Sequence, residues 1–363
     1  MALSSRNSAP AANTSFGVCS GAASLPLLRA RRKPRPYRVR RERFPSTCCR
    51  SARRHRRSAD EATERGTAMR VGIAGLGRMG AAIGARLMDV GHALTVWNRS
   101  PQKTKPFAEA GATIAATPAE LASRVDAIVT VLTDAAAIEV VFSGAEGLLS
   151  ADLKGKLFIE MSTVRPETEI ALAKEVVAKG AAFVECPVGG TTGPARQGKL
   201  IGLIGAEPAD AARAKPILEQ LCRRLEHCGP VGSGALMKFT INLPLMIYWQ
   251  ALGEALALCR PLGFDPDRLI DLLADTSGGA NVLKVRGPML ADMLKGGDGG
   301  AVTFDLGSAL KDVQAMLAEG KARGLDLPLV EKALACYEEA GRKGLADKEA
   351  AALSIYWSGR HVH

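Results

Sequence analysis

One feature of this 363-residue chain has residue types and spacing suited to chemistry: a glycine-spaced turn, Gly75-Leu76-Gly77-Arg78-Met79-Gly80. The turn follows a short apolar run, Arg70–Ala74. It opens a segment of helical spacing, Met79–Val90, that stops at Gly91. Strand, turn and helix in that order are the context that a G-x-G-x-x-G motif requires. Gly75 then permits the tight turn, Gly77 lets the backbone approach a pyrophosphate, and Gly80 allows close packing of helix on strand. The helix N-terminus offers free N–H groups to phosphates. The turn therefore predicts dinucleotide binding through Gly75, Leu76, Gly77, Arg78, Met79 and Gly80. Lys238 and Asn242 lie four apart and share one helix face. Taken alone, such a lysine reads more readily as one laid along an amphipathic surface.

The end of the second strand selects the dinucleotide. Sites for NAD usually carry Asp or Glu there, to hold a ribose hydroxyl. This chain has Asn98-Arg99-Ser100 instead. A carboxylate would repel a 2′-phosphate, whereas Arg99 can grip it and Ser100 can donate a hydrogen bond. The expectation is a preference for NADP(H), with NAD(H) as the lesser cofactor.

Around these residues the chain alternates strand and helix. Apolar runs recur at Ala93–Trp97, Ala127–Leu132, Lys156–Glu160, Ala182–Glu185 and Leu200–Ile204. Helical stretches separate most of them, and Pro101 opens one at its first turn, where proline is tolerated. This rhythm predicts an α/β Rossmann-type domain, a doubly wound and mostly parallel sheet, over residues 69–231. From Gly232 onward only helical periodicity continues. A long apolar helix spans Gly234–Leu262, and Pro244 is expected to kink it just past Asn242. Further helices are expected at Pro266–Ala274, Val282–Lys295, Leu306–Arg323 and Pro328–Lys343. Residues 232–363 thus form an interdomain helix and an all-α C-terminal domain.

The net charge of +11 would suit a nucleic-acid partner, but its location argues otherwise. Residues 1–68 hold fifteen Arg and one Lys against four acidic residues, so the remaining chain is close to neutral. That segment is rich in Arg, Ser, Pro and Ala and shows no sustained periodicity, so it is expected to be a disordered basic extension. Three readings of it stay open: an organellar transit peptide, a basic arm, or upstream sequence translated from a start codon placed too early. Met69 stands directly before the first strand. The excess of Arg over Lys looks like coding bias rather than a selected arm, so no nucleic-acid partner is expected. No apolar run is long enough to span a membrane. The expected location is the cytoplasm, or an organellar matrix if the segment is a transit peptide. Cys186, Cys222, Cys228, Cys259 and Cys336 have no metal-ligand spacing and read as small buried hydrophobes in a reducing compartment; no metal site is expected. His92 and His227 read as structural.

From Met69 to about Tyr356 the chain resembles the β-hydroxyacid dehydrogenase family. Four segments carry the likeness in the family's order: Gly75–Gly80, Cys186-Pro187-Val188-Gly189-Gly190 running on to Gly198, Gly232–Asn242, and Lys311-Asp312. The resemblance implies an oxidoreductase that interconverts a small β-hydroxy acid and its semialdehyde or keto form. Lys238 would be the general acid/base, and Asn242 would orient the reacting oxygen or the substrate carboxylate. A helix N-terminus and a bound carboxylate pull the Lys238 pKa in opposite directions, so its net shift stays open.

The family usually has Ser-Gly-Gly after Pro-Val, with backbone N–H groups receiving the substrate carboxylate. Here Gly189 replaces the serine and Thr191 replaces the last glycine. The implied substrate contacts are Ser162, Gly189, Gly190, Thr191, Asn242 and Phe304, and Thr191 or Thr192 is the candidate to return the lost hydroxyl. Leu132, Thr133, Thr163 and Lys311 match positions that line the cofactor. The family and the apolar helical domain imply a homodimer or homotetramer. Imine reductases share the architecture but generally lack the family lysine. 6-Phosphogluconate dehydrogenase needs a larger helical domain. Non-catalytic NADP-binding modules have lost the lysine, so Lys238 argues for an enzyme.

Overall fold

The computed structural model describes residues 69–359. The basic extension 1–68, with the expectations attached to it, lies outside them. Nine strands form one sheet: β1 (Val71–Ala74), β2 (Leu94–Trp97), β3 (Thr113–Ile114), β4 (Ala127–Thr130), β5 (Leu157–Glu160), β6 (Ala182–Glu185), β7 (Val188–Gly189), β8 (Leu200–Gly205) and β9 (Cys222–Gly229). Their order is β3-β2-β1-β4-β5-β6-β8-β7, with β9 also paired to β8. The first six are mutually parallel. β8 runs antiparallel to β6. The order reverses at β1 and β4, and such a switch point opens the crevice in which α/β sheets bind ligands.

Strand side chains alternate between two cores. Ile73, Val96, Val129, Ile159 and Val184 face one side. Ile128, Phe158 and Phe183 face the other. Both faces are covered by the helices α1 (Arg78–Asp89), α2 (Lys105–Glu109), α3 (Pro118–Arg124), α4 (Ala135–Ser143), α5 (Pro166–Ala178), α6 (Thr192–Arg196) and α7 (Pro208–Leu221). This double cover explains why the central strands read as continuous apolar runs.

Three strands escape the apolar pattern. β3 and β7 are two residues long. β9 is an edge strand whose Arg223, Arg224 and Glu226 are exposed, so it shows polar residues where a half-buried strand would alternate.

The second domain comprises α8 (Ser233–Cys259), α9 (Pro266–Ala274), α10 (Asn281–Leu294), α11 (Leu306–Ala322), α12 (Pro328–Ala340) and α13 (Ala352–Trp357). α8 continues through Pro244. Only the hydrogen bond that residue 244 would donate to the Thr240 carbonyl is lost, because proline has no N–H. Packing of Phe239, Met246, Trp249 and Leu252 on the helical core holds both sides of the proline in place. Cys186 and Cys222 are buried as expected, whereas Cys228, Cys259 and Cys336 are only half-buried. Among the described residues no helix is long and apolar enough to cross a membrane, and no cluster of metal-binding side chains occurs.

Tyr337 on α12 is fully buried, and its hydroxyl donates to the Met246 carbonyl of α8 at 3.1 Å. Tyr337→Phe leaves that acceptor without its donor. The variant is expected to lose about 1 kcal/mol of stability, measured as a lower midpoint in urea unfolding at unchanged slope.

Candidate functional site

The glycine turn is built by close backbone approach. Gly75 has φ +99°, in the left-handed region that favours glycine. A Cβ at Gly80 would lie 1.9 Å from the Gly75 carbonyl oxygen, so no larger residue fits. At Gly77 a Cβ would meet nothing within 4 Å, which leaves open space over the turn. Gly77 caps α1 without a side-chain hydrogen bond. The first-turn N–H groups are therefore available to an anion, and the helix dipole favours one there. Free donors beneath open space fit a dinucleotide pyrophosphate.

The turn opens into a cavity of about 700 Å³ between the domains. Its wall includes Arg78, Met79, Leu132, Ser162, Thr163 and Gly190 from the sheet side, and Lys238, Asn242, Phe304 and Lys311 from the helical side. Lys238 and Asn242 are buried on one face of α8. The Lys238 amine donates to Asn242 Oδ1 at 3.1 Å. Asn242 Nδ2 donates to Asp312 Oδ2 at 3.4 Å. Asp312 Oδ1 pairs with Lys311 Nζ at 2.9 Å, and Lys311 Nζ also donates to the Thr163 carbonyl at 2.7 Å. This chain joins α8, α11 and the loop after β5.

Burial pushes the Lys238 pKa down to about 8, with the Asp312 charge opposing and Lys311 reinforcing the shift. Desolvation therefore decides the sign left open by the sequence. An amine in this range can carry a proton and release it near neutral pH.

Similarity to known proteins identifies the family. Residues 70–229 match the family model for the NAD binding domain of 6-phosphogluconate dehydrogenase. Residues 232–356 match the model described as NAD-binding of NADP-dependent 3-hydroxyisobutyrate dehydrogenase. The chain is 34% identical over 287 residues to glyoxylate/succinic semialdehyde reductase 1 of Arabidopsis thaliana, covering 78% of this chain and 97% of that protein. The chain belongs to the β-hydroxyacid dehydrogenase family. As in that family, it is an oxidoreductase with a nicotinamide-dinucleotide domain. It is 38% identical over 208 residues to mitochondrial 3-hydroxyisobutyrate dehydrogenase of Mus musculus, spanning 62% of that enzyme and 57% of this chain. The crystal structure of 3-hydroxyisobutyrate dehydrogenase from Salmonella typhimurium shares the fold with a TM-score of 0.71 at 24% identity, covering 79% of this chain and 99% of that one.

The structure refines several of the residues expected from sequence. Asn98 Oδ1 accepts from the Leu76 N–H at 2.8 Å, and its Nδ2 donates to the Ser100 carbonyl at 3.0 Å. Its amide thus braces the glycine turn. Arg99 and Ser100 are exposed at the end of β2. Thr133 lines the cavity beside Leu132, and the Leu132 N–H donates to Ser162 Oγ at 2.8 Å. The Ser162 hydroxyl in turn donates to the buried Glu160. Its hydrogen is spent inward, so Ser162 meets the cavity as a fixed loop rather than as a free donor. Asn242, expected to face the substrate, has its amide shared between Lys238 and Asp312. Gly189 and Thr191 do not line the cavity: Gly189 packs near Ile201 and Ile241, and Thr191 stands at the N-cap position of α6 without a side-chain hydrogen bond.

Three further residues join the site. Lys103 lines the cavity, and its signal was a lysine four positions after Arg99. Asp312 is the buried carboxylate of the Lys311-Asp312 pair. Asp305 caps α11 through the Ser308 N–H at 2.6 Å and forms an ion pair with Arg78 of the glycine turn. Only folding across 227 residues could reveal that pair.

Gly80→Ala tests the turn. A methyl group forced against the Gly75 carbonyl should abolish cofactor binding. Fluorescence titration with NADPH checks this, and wild-type affinity would contradict the close approach.

Proposed function

We propose that this enzyme interconverts a small β-hydroxy acid and its semialdehyde or keto form, with NADP(H) as the preferred cofactor and Lys238 as general acid/base. The observation that carries this reading is a buried lysine, held near pKa 8, in the wall of the same cavity as the glycine turn. The bound nicotinamide supplies or accepts the hydride. During reduction Lys238 gives its proton to the carbonyl oxygen, and during oxidation it takes the proton back. Asn242 and Asp312 keep the amine aimed, and Asp312 offsets part of the cost of its charge. The substrate carboxylate rests against the backbone of Gly190 and of Thr163, opposite Phe304. The names of the plant reductase, for glyoxylate and succinic semialdehyde, and of the mouse dehydrogenase, for 3-hydroxyisobutyrate, support a short semialdehyde or hydroxy acid as the substrate. The proposed location is the cytoplasm, or an organellar matrix if residues 1–68 act as a transit peptide; the mouse relative is named as mitochondrial.

NADP(H) preference draws support from the absence of a carboxylate at the end of β2, where Asn98-Arg99-Ser100 stands, and from Lys103 in the cavity wall. Arg99→Ala is expected to reduce the ratio of NADPH to NADH efficiency by about tenfold, the loss of one charge-assisted contact. An unchanged ratio would refute the assignment.

NADPH oxidation with glyoxylate, succinic semialdehyde and related semialdehydes tests the reaction itself. Lys238→Ala should lower kcat by about 10²–10⁴-fold while NADPH still binds. Reduction requires the protonated amine, so its kcat/KM should be level below about pH 8 and fall above it. Oxidation should rise through the same pH.

A further inference from the structure

Glu185 is a fully buried carboxyl that the reaction does not use. It ends β6, immediately before Cys186-Pro187-Val188. Its Oε1 accepts from the backbone N–H groups of Gly232 at 2.7 Å, Gly234 at 2.6 Å and Ala235 at 3.4 Å. These are orphan donors at the start of α8, which has no side-chain cap of its own. Two glycines make room for the carboxylate. A Cβ at Gly205 would lie 2.0 Å from Glu185 Oε1, and one at Gly234 would lie 3.1 Å from it. Lys238 follows Gly234 by four residues and Ala235 by three, so it stands one turn above the anchored N–H groups on the same face.

We propose that Glu185 is a positioning residue for Lys238, fastening the first turn of α8 to the strand that leads into the Val188–Gly190 loop. One oxygen thereby fixes the height of the amine relative to the loop that faces the substrate. The titratable groups around Glu185 are Glu160 on β5, Glu169 on α5, the adjoining Cys186 and Cys228 on β9. His227 on β9 is turned to the Ala206 carbonyl. None of the groups that act on Glu185 is a cation, so its attachment is to backbone N–H groups of α8. Burial pushes its pKa up to about 7 against the pull of those three donors.

This inference rests on Lys238 as the acid/base. Its test uses the full-length protein, NADPH and glyoxylate, with Glu185→Ala, Glu185→Asp and Glu185→Gln beside a Lys238→Ala control. Glu185→Ala and the shorter Glu185→Asp should lower kcat about 100-fold per NADPH-binding site, the effect of a small misplacement of a reacting group. NADPH affinity should not change. The alkaline limb of kcat/KM for reduction should move from about 8 toward the ordinary lysine value of 10.5 as the amine loosens into water. Glu185→Gln keeps the acceptor oxygen and should restore most of kcat and the limb near 8. A merely structural role would reduce the folded yield and leave both quantities unchanged per binding site. If Glu185→Ala fails to fold, Glu185→Asp decides, and wild-type kcat with an unmoved limb overturns the proposal. Turnover retained by Lys238→Ala would overturn the acid/base reading and this inference together. An inactive Lys238→Ala beside unaffected Glu185 variants would overturn this inference alone.

Discussion

An ammonium taken out of water costs several kcal/mol unless opposite charge and hydrogen bonds compensate it. Lys238 is held under that constraint. Its amine is buried beside Asn242, and the nearest compensating charge, Asp312, comes from α11 of the helical domain. The arrangement is therefore only partly compensated, and the pKa falls to about 8. A fully solvated lysine would hold its proton too tightly to exchange it near neutral pH. An uncompensated one would lose it altogether. The working value depends on α8 and α11 packing at one separation, which Tyr337, Trp249 and Met316 of the helical core maintain.

The sheet sets the other half of the geometry. Gly75 and Gly80 bring strand end and helix start into backbone contact, so the open donors of α1 lie at a fixed place on the switch point between β1 and β4. The two halves are then joined across the cavity by polar contacts rather than by apolar packing alone. Arg78 meets Asp305, Lys311 meets the Thr163 carbonyl, and Arg165 meets Glu319 at 3.2 Å. Each contact ties a segment that follows a strand, the start of α1 or the loop after β5, to α11 or its N-cap; α11 also carries Asp312.

Buried acids play a parallel part beneath the site. Glu160 accepts from the Ser162 N–H at 2.8 Å and from Thr130 Oγ1 at 3.3 Å. Glu169 adjoins it, and burial together with the Glu160 charge raises the Glu169 pKa well above the usual carboxyl range. Two carboxyls so close in so dry a place repel one another, and that repulsion disfavours ionising both.

The sequence by itself determined what local pattern can encode. Apolar runs marked the central strands, because both faces of the sheet are buried. The spacing of Gly75, Gly77 and Gly80 determined the turn, because steric demands between near neighbours are written in adjacent residue types. The spacing of Lys238 and Asn242 placed both on one face of α8. Polar edge strand β9 escaped because its side chains face water. Pro244 did not end α8, because core contacts hold the helix on both sides of it. Only the tertiary structure decided which polar atoms meet. Asn242 turned to Lys238 and Asp312, Ser162 spent its hydrogen on Glu160, and Gly189 and Thr191 fell outside the cavity wall. It also decided the sign of the Lys238 shift, because desolvation depends on everything packed around a group, and those groups come from residues far apart in the chain.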